Sequence, residues 1–390
     1  MIRNRRFRLL LNRHAGTPGV VVLPEGGWRR AREEITGWPG HAPTPLVSVP
    51  EVAAAARVAA VYWKDEGGRF GLGSFKALGG AYAVLRVLQA ELSRRGVANA
   101  ATSAELAEGR HREAVQGLTV TSATDGNHGR SVAWGAQRFG ARCVIFVHEG
   151  VSQGRRDAIA RYGAEIRVVP GTYDDAVRTA QRAAAAERDW FVVSDTAHAG
   201  YMEVPRDVMQ GYRLVAEEAA AALPAAPSHV FVQGGVGGFA AAVSVQLRAR
   251  YGAAAPRLVV AEPSRAACLL ESTEAGEPVA LEGPLDTLMA GLACGEPSLL
   301  AWQELERAAF AYVAVPDEAA VDCMRVLARR EHRLVAGESA VAGLAALLLA
   351  AREPFARAAL GLDEASQVLL FGTEGATDPA VYAQLVEAAA

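Results

Sequence analysis

The chain has 390 residues, of which 51% are hydrophobic and 21% are charged, and its formal net charge is -3. This length predicts two domains, and the composition excludes a disordered or fibrous chain. The slightly acidic balance argues against a nucleic-acid partner.

Three features predict the compartment of the protein. Residues 1–13 are arginine-rich but lack the apolar run of a secretory signal. Residues 335–351 are apolar but carry Glu338 and are shorter than the roughly 20 residues that cross a bilayer, so they predict a buried helix. The four cysteines are far apart and form no CxxC pair, which argues against a bound metal and a disulfide framework. We therefore expect a cytoplasmic protein without a membrane partner.

Short apolar runs alternate with alanine-rich stretches through most of the chain, which predicts an α/β fold with parallel sheets flanked by helices. The predicted strands are residues 118–120, 143–147, 166–169, 190–193, 229–233, 258–261 and 368–371. The predicted helices are residues 174–187, 205–223 and 238–251, with a helical insertion at 102–116. Parallel sheets of this kind bind ligands at the carboxyl ends of their strands, which is where the motifs below fall.

The first motif is a glycine-rich turn that leads to Lys76. Ser74 is the predicted N-cap of the following helix, which places Lys76 in its first turn. A cation is unfavourable at a helix N-terminus, so this lysine is either solvated or functional. Apolar neighbours such as Phe75 and Leu78 would lower the pKa of the lysine toward the neutral amine that attacks an aldehyde. This segment alone leaves a solvated surface lysine open.

The second motif, residues 121–129, is a polar loop that follows a predicted strand and opens a predicted helix at Arg130. Its backbone donors and hydroxyls could hold a carboxylate, and an aspartate in it could move a proton. A simple turn with a helix cap is the alternative. The candidate residues of this loop are Ser122, Thr124, Asp125, Asn127 and His128. We expect His128 to form structural hydrogen bonds, because no second metal ligand lies nearby in the sequence.

The third motif is a glycine run between a predicted strand and an alanine-rich helix. This arrangement cradles a phosphate on backbone N–H groups at a helix N-terminus. It lacks the lysine of a P-loop and the spacing of a dinucleotide fingerprint. Its residues are Gly234, Gly235, Val236, Gly237 and Gly238.

In this order, the three motifs resemble those of pyridoxal-phosphate enzymes of the tryptophan-synthase β-subunit and threonine-dehydratase fold type (fold type II). More closely, the chain resembles the diaminopropionate ammonia-lyase family. The segments that carry the resemblance are residues 43–46, 64–66, 69–72, 75–76, 78–82, 124–130, 195–197, 289–297, 337–339 and 373–375. They cover nearly the whole chain, and residues 289–297 are the most specific to the family.

The resemblance implies a pyridoxal 5'-phosphate cofactor that is bound covalently by Lys76 and contacted at its phenolic oxygen by Asn127. The glycine run would hold the phosphate, and Thr373 would face the pyridine nitrogen. It also implies a large domain of residues 1–83 and 205–390, a small mobile domain of residues 84–204, and a homodimer.

The implied reaction is the α,β-elimination of 2,3-diaminopropionate, as both the D and the L isomer, to pyruvate and ammonia. Asp125 and Asp195 would act as bases or pair with the cationic β-amine; a helix cap before Thr196 is the alternative for Asp195. The chain departs from the family at His198, where relatives have an aromatic residue, and at Gly372, where they have serine. A serine/threonine-type dehydratase or a β-replacement synthase therefore remains the alternative function.

Overall fold

The computed structural model describes Arg3, residues 5–124 and residues 126–386. The chain forms two compact units. The first unit comprises Met1–Leu23, Pro43–Phe75 and Arg213–Ala390, and the second comprises Pro24–Ala42 and Lys76–Tyr212. The mobility expected for residues 84–204 stays a prediction.

The strands are β1 (Arg8–Leu11), β2 (Leu46–Ser48), β3 (Ala60–Asp65), β4 (Thr119–Ala123), β5 (Arg142–His148), β6 (Glu165–Val169), β7 (Trp190–Val192), β8 (His229–Gln233), β9 (Arg257–Pro263), β10 (Ala311–Val315) and β11 (Gln367–Gly372). The helices are α1 (Glu25–Thr36), α2 (Pro50–Ala56), α3 (Ala77–Arg94), α4 (Ser103–Ala107), α5 (Arg112–Gln116), α6 (Asn127–Phe139), α7 (Gln153–Ala160), α8 (Tyr173–Ala186), α9 (Glu203–Ala222), α10 (Gly238–Tyr251), α11 (Cys268–Ala275), α12 (Leu299–Ala308), α13 (Asp317–Ala328), α14 (Ala342–Ala350), α15 (Pro354–Leu360) and α16 (Pro379–Val386). In the described part of the chain, no helix is long and apolar enough to cross a membrane.

The first unit is built on a seven-stranded sheet in the order β1-β10-β9-β8-β11-β3-β2. Its inner strands are parallel, as predicted, whereas the two edge strands β1 and β2 run antiparallel to their neighbours. Strand β8 is buried at every residue, which explains its continuous apolar run. Helix α14 is also buried along its whole length and packs in the core of this unit, so it needs no polar face.

The second unit contains a four-stranded parallel sheet in the order β6-β5-β4-β7. Helix α8 covers one face, where Ala176 and Ala180 pack against Val144 and Phe146 of β5. Because all four strands run in the same direction, β4 and β7 end at the same edge of the sheet. The predicted polar loop follows β4, and Asp195 follows β7.

The predicted strands and helices are confirmed, but three predicted helix starts are wrong. Helix α3 begins at Ala77 without a cap from Ser74, because Ser74 is extended and forms a β-bridge with Glu374. Helix α6 begins at Asn127 rather than at Arg130. The buried helix predicted for residues 335–351 begins only at Ala342, because hydrogen bonds to Glu374 hold the preceding loop.

Candidate active site

Lys76 lies in the second unit at the N-cap position of α3. Its carbonyl oxygen accepts hydrogen bonds from the N–H groups of Gly79 and Gly80 and from the Ser131 hydroxyl, which fixes its backbone. Its Nζ donates to Asp195 Oδ2 at 2.7 Å, and the Lys76 side chain is only 22% exposed. The alternative of a solvated surface lysine is therefore wrong.

Asp195 follows β7, and its side chain is 16% exposed. Burial alone would raise the pKa of this carboxyl, but the charge and hydrogen bond of Lys76 hold the pKa well below its ordinary value. Asp195 is thus an anion at neutral pH. The alternative of a helix cap is wrong, because the next helix, α9, does not begin until Glu203.

His128 is buried on α6 beside the same carboxylate. Its Nε2 donates to the carbonyl oxygen of Val193 at 2.9 Å, which confirms the expected structural hydrogen bond. Its Nδ1 lies 3.8 Å from Asp195 Oδ2. Burial lowers the pKa of His128, so the ring is neutral at pH 7. No group of three or more His, Cys, Asp and Glu side chains that could hold a metal ion occurs in the described residues.

Tyr201 fixes the backbone that leads to Asp195. Its hydroxyl donates to the carbonyl oxygen of Val192 at 2.9 Å and accepts from the N–H of Ser194 at 3.0 Å. Its ring stacks on His198 with centroids 5.3 Å apart, and the two residues form a β-bridge. The imidazole at position 198 therefore makes the stacking contact that an aromatic side chain would make.

Tyr212 is a site residue that the sequence did not indicate. Its ring is buried on α9, and Lys76 Nζ lies 5.6 Å from the ring centroid. A Cβ at Gly79 would lie 2.3 Å from Tyr212 Cε1, so only glycine at that position lets the ring approach α3. In the sequence, Gly79 in the segment 78–82 was the one hint of this packing.

The polar loop after β4 is held by Thr124, whose hydroxyl oxygen accepts the N–H groups of Gly126 and Gly129 at 3.0 and 3.1 Å. These bonds start α6 at Asn127, which is half-buried at the helix N-terminus. Ser122 is buried, and its hydroxyl donates to the carbonyl oxygen of Ala123 at 3.3 Å. Asp125 lies outside the described residues, so its predicted role stays a prediction.

The glycine run lies in the first unit between β8 and α10. Gly235 and Gly237 have φ angles of +62° and +92°, which L-residues with a side chain rarely adopt. A Cβ at Gly234 would lie 2.6 Å from Glu262 Cγ. No side chain at the N-cap position, Gly237, caps the start of α10, and a helix N-terminus of this kind suits an anion.

Thr373 follows β11 in the first unit and is buried. Its carbonyl oxygen accepts the N–H of Phe75 at 3.1 Å, immediately before Lys76 in the chain. Gly372 precedes it, and a Cβ at this position would lie 2.4 Å from Trp63 Nε1. The indole of Trp63 thus leaves no room for a side chain at position 372 unless the ring shifts.

A buried cluster of four charges supports the turn before Lys76. Arg69 donates to both Glu66 and Glu218 at 2.6–2.9 Å, and Lys64 donates to Glu218 at 2.8 Å. The two cations and two anions balance, which makes their burial tolerable. They anchor a turn in which Phe70 has a left-handed φ of +49°. The sequence marked Lys64, Glu66 and Arg69 only as part of the family resemblance, and it did not indicate Glu218.

Comparison with known proteins decides the family. A family model described as pyridoxal-phosphate dependent enzyme matches residues 38–360. The diaminopropionate ammonia-lyase of Escherichia coli (strain K12) is 37% identical over 358 residues, which cover 89% of this chain and 88% of that protein. The chain belongs to the diaminopropionate ammonia-lyase family of pyridoxal-phosphate enzymes.

Crystal structures of the same family member share the fold. The Escherichia coli enzyme in complex with D-serine matches with a TM-score of 0.90 and 33% identity, covering 100% of this chain and 99% of that one. Its complex with an aminoacrylate–PLP azomethine reaction intermediate matches with a TM-score of 0.88 over the same shares. The predicted fold type II and the predicted cofactor are thereby confirmed.

The described residues fit pyridoxal phosphate. Lys76 offers an amine, the uncapped start of α10 suits a phosphate, and Thr373 offers a hydroxyl rather than a charge. The two glycines with positive φ and the close approach of Glu262 to Gly234 show that the loop is shaped for backbone contacts.

Proposed function

We propose that this protein catalyses the α,β-elimination of 2,3-diaminopropionate, consuming one water and releasing pyruvate and two molecules of ammonia. The observation that carries the proposal is the 2.7 Å ion pair of Lys76 with Asp195, in a chain 37% identical to a diaminopropionate ammonia-lyase. A buried aspartate beside the reactive lysine suits a substrate with a cationic leaving group, which serine and threonine lack.

When bound, the cofactor supplies an electron sink that acidifies the Cα–H of the substrate. Lys76 Nζ takes that proton from the L isomer as the general base. Asp195 supplies the countercharge for the departing β-ammonium. Residues Gly234 to Gly238 would hold the phosphate, Asn127 would donate to the phenolic oxygen, and Thr373 would supply a hydroxyl to the pyridine nitrogen.

We further propose that both enantiomers react, with Asp125 as the base for the D isomer. The two isomers expose the Cα–H on opposite faces, so one lysine cannot easily serve both. Asp125 is two residues before Asn127 in the loop that we assign to the substrate, together with Ser122, Thr124 and His128. The complex of the Escherichia coli relative with D-serine supports access for a D amino acid.

One assay tests the proposed reaction. Purified holoenzyme is assayed separately with D- and L-diaminopropionate, D- and L-serine, threonine and O-acetylserine. The products measured are ammonia and pyruvate, or 2-oxobutyrate in the case of threonine. We expect diaminopropionate to give the highest kcat/KM. Faster turnover of serine, threonine or O-acetylserine would contradict the proposal and favour a dehydratase or a β-replacement synthase.

We also propose a cytoplasmic homodimer. None of the four cysteines forms a disulfide, and three of them are buried, which suits a reducing compartment. The homodimer rests on the resemblance to the family. Sedimentation equilibrium of the holoenzyme tests it, because a monomer has a mass of 41.0 kDa and the expected species has about twice that mass.

A further inference from the structure

Two side chains of the second unit contact the ammonium group of Lys76, and a third lies beside one of them. Asp195 Oδ2 accepts its hydrogen bond at 2.7 Å, and the Tyr212 ring centroid lies 5.6 Å from Nζ. His128 Nδ1 lies 3.8 Å from the same Asp195 oxygen. The arrangement combines an anion, a ring face and an imidazole nitrogen.

The hydrogen bond of His128 to the backbone determines what its second nitrogen can do. A carbonyl oxygen can only accept, so the 2.9 Å contact with Val193 requires the proton on Nε2. A neutral imidazole then has a lone pair on Nδ1. This buried Nδ1 has no hydrogen-bond partner among the described residues, so it is available as an acceptor beside the carboxylate.

We propose that Asp195, His128 and Tyr212 form a receptor for a primary alkylammonium group, supplied by Lys76 itself or, when the cofactor engages Nζ, by the β-ammonium of the substrate. This inference rests on the proposed function. The two ammonium groups are chemically alike, so the same partners suit both. The new element is that His128 and Tyr212 share with Asp195 the recognition of the amine.

The receptor selects for charge and for the number of N–H donors. Lys76 donates to Asp195 and leaves His128 Nδ1 unused. We expect a free ammonium group that binds in its place to donate to both, and its charge to be attracted by the face of Tyr212. A hydroxyl group such as that of serine has one donor and no charge. The same three side chains therefore favour diaminopropionate over serine.

The test uses a variant that vacates the place of the lysine amine. Lys76→Ala removes three carbons and the nitrogen, which n-propylammonium replaces. Calorimetry on the full-length variant, freed of cofactor so that no aldehyde can condense with the amine, should show saturable binding of n-propylammonium. Binding should be weaker by on the order of tenfold for propan-1-ol and for Lys76→Ala/Asp195→Asn. The receptor would be overturned if n-propylammonium showed no saturable binding. It would also be overturned if propan-1-ol bound equally well, or if the double variant bound n-propylammonium equally well.

Two substitutions at position 128 separate recognition from structure. In the Lys76→Ala background, His128→Gln can keep a donor near the Nε2 position for Val193 but removes the acceptor at Nδ1. His128→Asn can keep an acceptor near the Nδ1 position. We expect Gln to weaken n-propylammonium binding about fivefold to tenfold and Asn to change it about twofold or less. If Asn weakens binding more than Gln does, His128 contributes only its hydrogen bond to Val193 and does not contact the amine.

Tyr212→Phe and Tyr212→Leu test the ring face in the same background. Phe keeps the face and should retain binding, whereas Leu should weaken it severalfold; equal binding would remove Tyr212 from the receptor. These measurements are independent of the proposed reaction. Amine binding without turnover of diaminopropionate by the wild-type holoenzyme contradicts only the reaction, and turnover without amine binding by Lys76→Ala contradicts only the receptor.

Discussion

Replacing Tyr201 with phenylalanine should impair the recognition of a cationic substrate without removing any group that contacts it. The change keeps the ring stack with His198 but deletes the hydroxyl that joins the Val192 carbonyl and the Ser194 N–H. Asp195 directly follows Ser194 in the chain. The loss therefore loosens the backbone that places the carboxylate beside Lys76.

The structure sets the expected size of two effects. Two hydrogen bonds of about 0.5–1.5 kcal/mol each are lost, so the free energy of unfolding should fall by about 1–3 kcal/mol. A displacement of Asp195 by about 1 Å can cost on the order of 100-fold in rate. We therefore expect kcat/KM for diaminopropionate to fall about tenfold to 100-fold, and that for serine about threefold.

Tyr312→Phe is the matched control. Tyr312 is buried in the first unit, and its hydroxyl donates to the Leu305 carbonyl at 2.9 Å. Removal of the Tyr312 hydroxyl should lower the free energy of unfolding by about 1 kcal/mol. It should leave the ratio of kcat/KM for diaminopropionate to kcat/KM for serine unchanged. Steady-state kinetics with both substrates and thermal unfolding of both variants make the comparison. If Tyr201→Phe also leaves the ratio unchanged, Tyr201 does not position Asp195.

Four further variants test other residues. Lys76→Ala should abolish turnover and the visible absorbance of the lysine-bound cofactor; a variant that retains this absorbance would refute the assignment. Asp195→Asn should lower kcat/KM for diaminopropionate by roughly 30-fold or more beyond any loss for serine, and equal losses would argue against amine recognition. Asp125→Asn should suppress the reaction of D-diaminopropionate far more than that of the L isomer, and parallel losses would rule out two bases. Burial raises the pKa of Asp207 to about 6; its folded state holds the proton more tightly, so this group should reduce stability by roughly 2–3 kcal/mol as pH rises from about 4 to 6. Chemical denaturation across this range should show a flatter dependence for Asp207→Asn, and identical pH profiles would contradict the assignment.

The sequence predicted most of the fold because the buried parallel strands can be recognised from their own short apolar segments. Strands β8, β9 and β11 contain continuous apolar runs with no polar alternation, as expected where both faces are covered. The glycine run was placed correctly for the same reason, since a strand precedes it and an alanine-rich helix follows it.

What the sequence did not predict depends on contacts between distant residues. Ser74 has the chemistry of an N-cap, but pairing with Glu374 holds it extended. The ion pair of Lys76 with Asp195 joins the N-terminus of a helix to the end of a strand far along the chain. Tyr212 had no local signal, because a tyrosine within an amphipathic helix usually indicates only the buried face.

The contact of Trp63 with Gly372 couples what these two positions can accommodate. A serine at position 372 and the present indole cannot occupy the same space, since the added Cβ would lie 2.4 Å from Trp63 Nε1. Replacing Gly372 alone would therefore force the indole to shift, whereas a smaller residue at position 63 would make room for the new side chain. A redesign of the end of β11 that adds a side chain at position 372 must therefore change position 63 at the same time.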